Sequence, residues 1–235
     1  MNRRRFNTLH LSLLLGSMVG LHGAANALTL GDISSAQASQ GLRAALEKGA
    51  VAAVSTLGQN NGFLGNDKVR IPLPGYLQDV ANLLRNFGQG EQIDELIASM
   101  NHAAEAAVPL ARDQLVSAIK GMSIQDAKNI LSGGDTSATQ FFAEKTRQPL
   151  SQQFLPVVSK TTARVNLAEK YNRIAGKAAS MGLISGDQAS IEQYVTGKTL
   201  DGLYFMIGEE EKKIRQDPVG TGSALLQKVF GALKP

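Results

Sequence analysis

Three polar side chains lie within one helical turn in the stretch MNHAAEAAVP: Asn101, His102 and Glu105. An imidazole close to a carboxylate can transfer a proton or bind a metal ion, so these residue types at this spacing raise the question of chemistry. The chain has no cysteine, and its other two histidines, His10 and His22, lie in an N-terminal stretch that we expect to be removed. A zinc site normally needs several His or Cys ligands. We therefore predict no metal site and no cofactor.

The helical phase of this stretch separates its polar residues. At about 100° per residue, one stripe of about 120° collects the apolar side chains: Ile93, Leu96, Ile97, Met100, Ala104, Ala107, Val108 and Ala111. His102 falls opposite the stripe, so we expect it to face solvent. Asn101 and Glu105 fall together at the edge of the stripe. Two interpretations follow: a buried hydrogen-bond clamp that ties this helix to a neighbour or loop, or part of a polar pocket.

A polar pocket would need partners from elsewhere, and the chain offers no familiar catalytic motif to supply them. SAIK (residues 117–120) matches S-x-x-K but lacks the accompanying S-D-N and K-T-G. TGKT (residues 196–199) resembles the end of a phosphate-binding loop. However, Glu192 occupies the upstream position at which such a loop requires glycine. Under an enzyme or small-ligand hypothesis, we expect five polar residues to converge on one cavity: Arg70, Asn101, Glu105, Asp126 and Thr139.

Hydrophobic residues recur with a helical period along nearly the whole chain, and no convincing pair of alternating strands is present. The exception is residues 58–75, whose Gly, Asn and Pro content is typical of a loop. SIQD (residues 123–126) resembles a capping box with Asp in place of Glu. We predict an all-α fold, a single-domain irregular bundle of about seven to nine helices with a Pro/Gly-rich loop near residues 58–75.

Some helix boundaries are predicted from single residues. We expect the helix that contains MNHAAEAAVP to continue through Pro109 to Met122. Pro149 and Pro156 are expected to break or kink the chain before a long helical segment at residues 157–181. The C-terminal part is expected to hold shorter helices near residues 189–195, 199–216 and 222–233.

Residues 1–27 have the pattern of a signal peptide. Arg3, Arg4 and Arg5 precede the apolar run LHLSLLLGSMVGL, and ANA at residues 25–27 offers a small-x-small site for signal peptidase. The apolar run is shorter than the roughly 20 residues of a membrane span. RRRF also resembles the core of a twin-arginine signal, so the export route stays open. We predict export to the periplasm and a mature domain of residues 28–235.

Removal of this segment changes the charge of the chain. The full sequence has 24 basic and 20 acidic residues, a formal charge of +4. Three of the basic residues leave with the signal, so 21 remain against 20 acidic residues, and we expect no nucleic-acid binding. A local excess persists at residues 144–177. Either this segment pairs with acidic residues near the C-terminus, or it docks on an anionic surface through four candidate contacts: Lys160, Arg164, Arg173 and Lys177.

The chain contains five segments that carry a family resemblance: IPLP (71–74), MNHAAEAA (100–107), DAKNILSGG (126–134), SATQFF (137–142) and LPVV (155–158). Through them it resembles the bacterial exported proteins grouped as domain of unknown function 4197. These segments lie between residues 71 and 158 of the expected mature chain. The resemblance implies a helical periplasmic domain, and it supplies no established activity, substrate or catalytic residue.

The main functional hypothesis is a non-enzymatic periplasmic domain that binds an unknown partner in the cell envelope, which is a protein, an anionic lipid or a cell-wall polymer. The alternative is an enzyme or small-ligand-binding protein whose polar pocket lies around Asn101 and Glu105. A third hypothesis is a structural or chaperone-like role, which an exposed apolar groove would favour.

Overall fold

The computed structural model describes residues 35–88, 90–182, 185–186 and 189–217. These residues form eight α-helices and no β-strand: α1 (Ser35–Leu57), α2 (Gly75–Asn86), α3 (Gly90–Ala107), α4 (Ala111–Lys120), α5 (Ile124–Ser132), α6 (Ser137–Thr162), α7 (Asn166–Ser180) and α8 (Ile191–Gln216). The all-α prediction is confirmed. The predicted signal peptide and the helix expected near residues 222–233 lie outside the described residues.

The two longest of these helices, α6 and α8, pack against each other and against most of the others. α8 also contacts α1 and α3, while α6 also contacts α3, α4 and α5. One cluster of buried apolar side chains includes residues from all eight helices. Full burial of a Leu or Phe side chain contributes about 1.5–3 kcal/mol, so this cluster is the main source of stability. Within the described ranges, no helix is long and apolar enough to cross a membrane.

α3 has the predicted core stripe. Met100 is fully buried, whereas His102 is exposed on the opposite side of the helix. The helix does not continue unbroken through Pro109 as expected, because a 3-10 turn, Val108–Leu110, joins α3 to α4. Pro109 has no N–H to donate to the preceding helical turn, which accounts for the change of helix type at this point.

α5 begins with the predicted capping box. The Asp126 N–H donates to the Ser123 hydroxyl at 3.0 Å, and the Ser123 N–H donates to the Asp126 carboxylate at 2.9 Å. Asp is shorter than the usual Glu, yet it closes the same pair of hydrogen bonds.

Pro149 and Pro156 do not break the chain, because both lie inside one helix, α6, and the segment expected at residues 157–181 is divided between α6 and α7. Each proline removes one backbone N–H and the hydrogen bond to the fourth residue before it. The buried face of α6 offsets that loss, since it places four large side chains in the core: Phe142, Leu150, Phe154 and Val158. The boundary with α7 falls instead at residues 163–165.

α8 is one helix where two shorter helices were expected. Residues 195–199 are helical, so TGKT lies inside a regular helix and has no phosphate-binding loop geometry. Gly197 does not end the helix because the residues around it are anchored in the core: Val195, Leu200 and Leu203.

Candidate functional site

The loop between α1 and α2, residues 58–74, is held by side chains of α3. Asn101 is fully buried, and its carboxamide pairs with both backbone groups of Ile71. The Ile71 N–H donates to Oδ1 at 2.8 Å, and Nδ2 donates to the Ile71 carbonyl at 3.0 Å. Nδ2 also donates to the Ile97 carbonyl within α3 at 2.8 Å. Asn101 therefore fixes the loop to the helix through its carbonyl oxygen and one donor hydrogen, while the other donor hydrogen bonds within α3.

Glu105 lies one turn further along α3, and only 6% of it is exposed. Its Oε1 accepts hydrogen bonds from two consecutive amides, the N–H groups of Phe63 and Leu64, each at 3.0 Å. Its Oε2 lies 2.8 Å from Nδ1 of His102. A buried carboxylate needs such partners, because its desolvation is otherwise costly. Asn101 and Glu105 thus form a clamp on the loop, and their part in a ligand site stays a prediction.

α8 holds the same loop from another side. The Tyr194 hydroxyl donates to the Pro72 carbonyl at 3.1 Å. The Phe63 ring is fully buried against Gly202, where an added Cβ would lie 2.7 Å from a ring carbon. A residue larger than glycine at position 202 would therefore displace the ring. The loop is enclosed between α3 and α8, although its own composition predicts no regular structure.

Arg70 and Asp126, two more members of the predicted polar set, lie in different grooves. Arg70 is exposed and lines a groove of about 580 Å³ between the loop and α8. Asp126 lines a groove of about 420 Å³ at the junction of α5 and α6. Hydrogen bonds from the Ser123 hydroxyl and N–H hold the pKa of its carboxyl below the ordinary value of 3.8. Neither groove includes the other three members: Asn101, Glu105 and Thr139.

Thr139 belongs to a buried cluster at the N-terminus of α6 that the sequence motifs did not reveal. Glu211 of α8 is 3% exposed and accepts hydrogen bonds from the N–H groups of Ala138 at 3.0 Å and Thr139 at 2.9 Å, and from the Thr139 hydroxyl at 2.8 Å. Arg215 pairs with Glu211 at 2.9 Å and also donates to the Ile130 carbonyl at 2.9 Å. The free amides and the positive end of the helix dipole favour a carboxylate at this position.

Helical phase is the signal that distinguishes Glu211 from its neighbours. It lies in the run GEEEKK, residues 208–213, whose composition is typical of a charged surface. However, it follows Ile207 by four residues and precedes Ile214 by three, and both isoleucines are buried. Residues at these spacings share one face of a helix. The argument that singled out Asn101 and Glu105 therefore also applies to Glu211.

The basic segment is only partly neutralised by the rest of the described structure. Arg147 pairs with Asp201 of α8 at 2.5 Å, and Arg173 pairs with Glu169 of its own helix at 3.1 Å. Four further basic side chains are exposed with no described carboxylate within 4.0 Å: Lys145, Lys160, Arg164 and Lys170. The side chain of Lys177 is not among those described. We call Lys160, Arg164, Lys170 and Arg173 the basic surface.

The fold and these contacts define an all-α bundle whose 58–74 loop is held by buried polar side chains of two helices. In the part of the chain that the structure describes, no three His, Asp or Glu side chains cluster closely enough to hold a metal ion. The chain belongs to the family described as "Protein of unknown function (DUF4197)", whose model matches residues 32–231. The family resemblance is therefore confirmed. No curated protein and no solved structure matches the chain.

Proposed function

We propose that this protein is an exported, periplasmic, non-enzymatic binding domain that docks on the anionic lipid surface of the cell envelope. The observation that carries the proposal is the basic surface. Its members Lys160, Arg164 and Lys170 are exposed and have no described carboxylate within 4.0 Å. Each Lys or Arg close to an anionic membrane surface contributes about 1 kcal/mol of attraction, so a few such residues suffice for reversible docking.

The geometry of α7 supports a shared docking face. Lys170 and Arg173 are three residues apart, a spacing that places two side chains on one side of a helix. Arg164 lies in the short connection just before α7, and Lys160 lies in the last turn of α6. Arg173 is bonded to Glu169, but both side chains are well exposed, at 68% and 80%. Glu169 adds a negative charge equal in magnitude to the charge of Arg173, so the net positive charge of the face comes from Lys160, Arg164 and Lys170.

The acidic residues of α8 favour docking over internal pairing. Glu209 pairs with Lys68 and Lys212, and Glu210 pairs with Lys213. The buried Glu211 pairs with Arg215. These carboxylates therefore have cationic partners outside the basic surface, which supports an external partner for the surface itself.

Co-sedimentation of residues 28–235 with vesicles tests this proposal. We expect binding to vesicles of phosphatidylglycerol and phosphatidylethanolamine, weaker binding at high salt, and none to vesicles of phosphatidylcholine, because screening removes the attraction. Reversal of three charges, Lys160→Glu, Arg164→Glu and Lys170→Glu, is expected to reduce binding by about tenfold or more.

The matched control is a second triple reversal on other helices: Arg112→Glu, Lys120→Glu and Lys128→Glu. These three residues are also exposed without a described carboxylate within 4.0 Å, so the variant has the same net charge. It is expected to bind anionic vesicles better than the first variant. Equal binding by the two variants, or binding of the wild type to a cell-wall polymer or a protein in place of the vesicles, would contradict the lipid proposal.

A further inference from the structure

A polar groove of about 580 Å³ lies between α6 and α8 and shares no residue with the basic surface. We propose that this groove binds an extended peptide through its main chain, with an ammonium group of the peptide near Glu144. This goes beyond docking on an anionic surface, because it concerns a different ligand at a different place. The residues that carry the proposal come from both helices: Glu144, Gln148, Gln152, Gln193, Thr196 and Gly197.

Thr196 provides a buried hydroxyl that has no hydrogen-bond partner among the described residues. It lines the groove and is 3% exposed. Other helical threonines of this protein donate to the carbonyl four residues earlier, as Thr199 does to Val195 at 2.7 Å and Thr162 does to Val158 at 3.0 Å. Buried polar groups almost always have a partner. The hydroxyl oxygen has less than 1 Å² of accessible surface, so a ligand in the groove reaches it only when Thr196 adopts its other common helical χ1 rotamer.

Three glutamine side chains give the groove the chemistry of a peptide-binding surface. Gln148 and Gln152 lie one turn apart on α6, and Gln193 lines the opposite wall from α8. A carboxamide has one acceptor oxygen and a donor nitrogen, so it can pair with the N–H and C=O of a peptide unit together. Asn101 pairs with Ile71 in this way within the same molecule, at 2.8 Å and 3.0 Å. We therefore expect the glutamines of the groove to pair with the backbone of a bound peptide as Asn101 pairs with the backbone of Ile71.

The charges of the groove favour a peptide that carries an amine. The Arg147 guanidinium is held by Asp201 at 2.5 Å and lies 5.4 Å from the centre of the Tyr204 ring. Glu144, in contrast, is exposed and has no cation within 4.0 Å among the described residues. The unneutralised charge of the groove is therefore negative. A lysine side chain or a free amino terminus would complement it.

The dimensions of the groove match a short peptide. Its wall on α6 extends from Ala143 to Leu155, about 18 Å along the helix axis. An extended chain covers that distance with about five or six residues. The described lining has no aromatic side chain on which a sugar ring could stack, so an extended peptide fits it better than a glycan does.

Gly197 allows the groove to be filled without disturbing the core. A Cβ added there meets no atom within 4 Å, and the same holds for Gly176 on α7, which gives a matched control. Gly197→Leu is expected to obstruct the groove, whereas Gly176→Leu makes the same chemical change outside it. Thr196→Val removes the unpaired hydroxyl at nearly constant volume, so it is expected to leave the fold intact.

The experiment presents residues 28–235 to an array of random hexapeptides and measures the affinity of the best binder in solution. We expect Gly197→Leu to weaken binding about tenfold or more, Thr196→Val and Glu144→Gln to weaken it about threefold, and Gly176→Leu to leave it unchanged. The same hexapeptide with N-methylated main-chain amides is expected to bind at least about tenfold more weakly, because it has lost its donors.

Three results would overturn the proposal: no hexapeptide bound, equal affinity of wild type and Gly197→Leu, or full affinity of the N-methylated peptide. Binding of N-acetylglucosamine oligomers in the groove, lost in Gly197→Leu, would assign it to sugars and also overturn the proposal. Thermal unfolding of each variant checks that the fold is intact. The groove residues are not part of the basic surface. A failure of the vesicle-binding experiment would therefore leave the peptide-binding result unaffected.

Discussion

At the scale of single residues, three backbone amides of the 58–74 loop have side chains of α3 as their partners. The N–H groups of Phe63 and Leu64 donate to Glu105, and that of Ile71 donates to Asn101. A buried amide without a partner costs about 1–3 kcal/mol. Loss of one of these bonds is therefore more costly than the net stabilisation that the bond provides. The loop has five backbone hydrogen bonds of its own, and the two helical side chains supply acceptors for three amides that make none of them.

Replacement of Asn101 by Asp tests this role. Both oxygens of an ionised Asp are acceptors, so one would face the carbonyls of Ile71 and Ile97 that now accept from Nδ2. We expect the free energy of unfolding to fall by about 2–4 kcal/mol in chemical denaturation, and the Ile71 amide to exchange its hydrogen faster. The control, His102→Ala, removes an exposed partner of Glu105 and is expected to cost about 1 kcal/mol, because water takes the place of the imidazole at Oε2. Equal stability of the two variants would show that the clamp does not hold the loop.

The sequence identifies the clamp residues but not their partners. Helical phase depends on local sequence alone, and it was enough to place Asn101 and Glu105 at the edge of the core and His102 in solvent. The loop residues that they bind lie 30 to 42 positions away, and no local rule specifies which loop amides a buried carboxylate will meet. Gly202 illustrates the same limit. Only glycine fits at this position because of the Phe63 ring, which is close in space but distant in sequence.

At the scale of elements, α6 begins with a cap supplied by another helix. Thr136, at its N-cap position, makes no side-chain cap hydrogen bond. The carboxylate of Glu211 from α8 accepts the N–H groups of Ala138 and Thr139 instead. The prolines of α6 are tolerated for a related reason, since packing against other helices outweighs the local preference of the chain. Local rules therefore predicted the start of α5 correctly and failed where tertiary contacts stabilise a helix.

Replacement of Glu211 by Ala is expected to destabilise the protein strongly. Two amides at the start of α6 would lose their acceptor, and Arg215, whose side chain is only 13% exposed, would lose its counter-charge. Removal of one partner from a buried ion pair costs about 3–5 kcal/mol. The matched control is Glu210→Ala, which breaks a more exposed pair with Lys213 and is expected to cost about 1 kcal/mol or less. The measurement is urea unfolding, and a Glu211→Ala variant as stable as Glu210→Ala would refute the capping role.

At the scale of the whole molecule, ionisable groups limit stability at both ends of the pH range. Hydrogen bonds from Lys68 and Lys212 hold the pKa of Glu209 below its ordinary value of 4.5, and the capping box lowers that of Asp126. Burial raises the pKa of the Tyr204 hydroxyl above 10.0, although its hydrogen bond to Thr146 and the nearby Arg147 oppose the shift. The protein is therefore expected to be most stable between these limits.

A pH series of melting temperatures checks this expectation. The carboxylates contribute stability above their unfolded pKa values and lose it as the pH falls through the lower folded values. The contribution of Tyr204 is complete below pH 10.0 and is lost as the pH rises through its folded pKa, because the unfolded chain ionises first. Tyr204→Phe is expected to flatten the alkaline decline, and the double variant Asp126→Asn, Glu209→Gln to flatten the acid decline. An unchanged slope in either variant would contradict the corresponding assignment.

The position of α8 at the end of the described chain has a consequence for the order in which the molecule is assembled. A ribosome makes the loop and the start of α6 long before it makes Tyr194, Gly202 and Glu211, the residues of α8 that complete them. Until then the growing polypeptide lacks the contacts that close its core, and closure waits for partners of large sequence separation. We therefore expect the core to close only after α8 has been synthesised. Under the export that we propose, a newly made chain that stays open until α8 emerges is able to pass through a channel that admits only unfolded polypeptides.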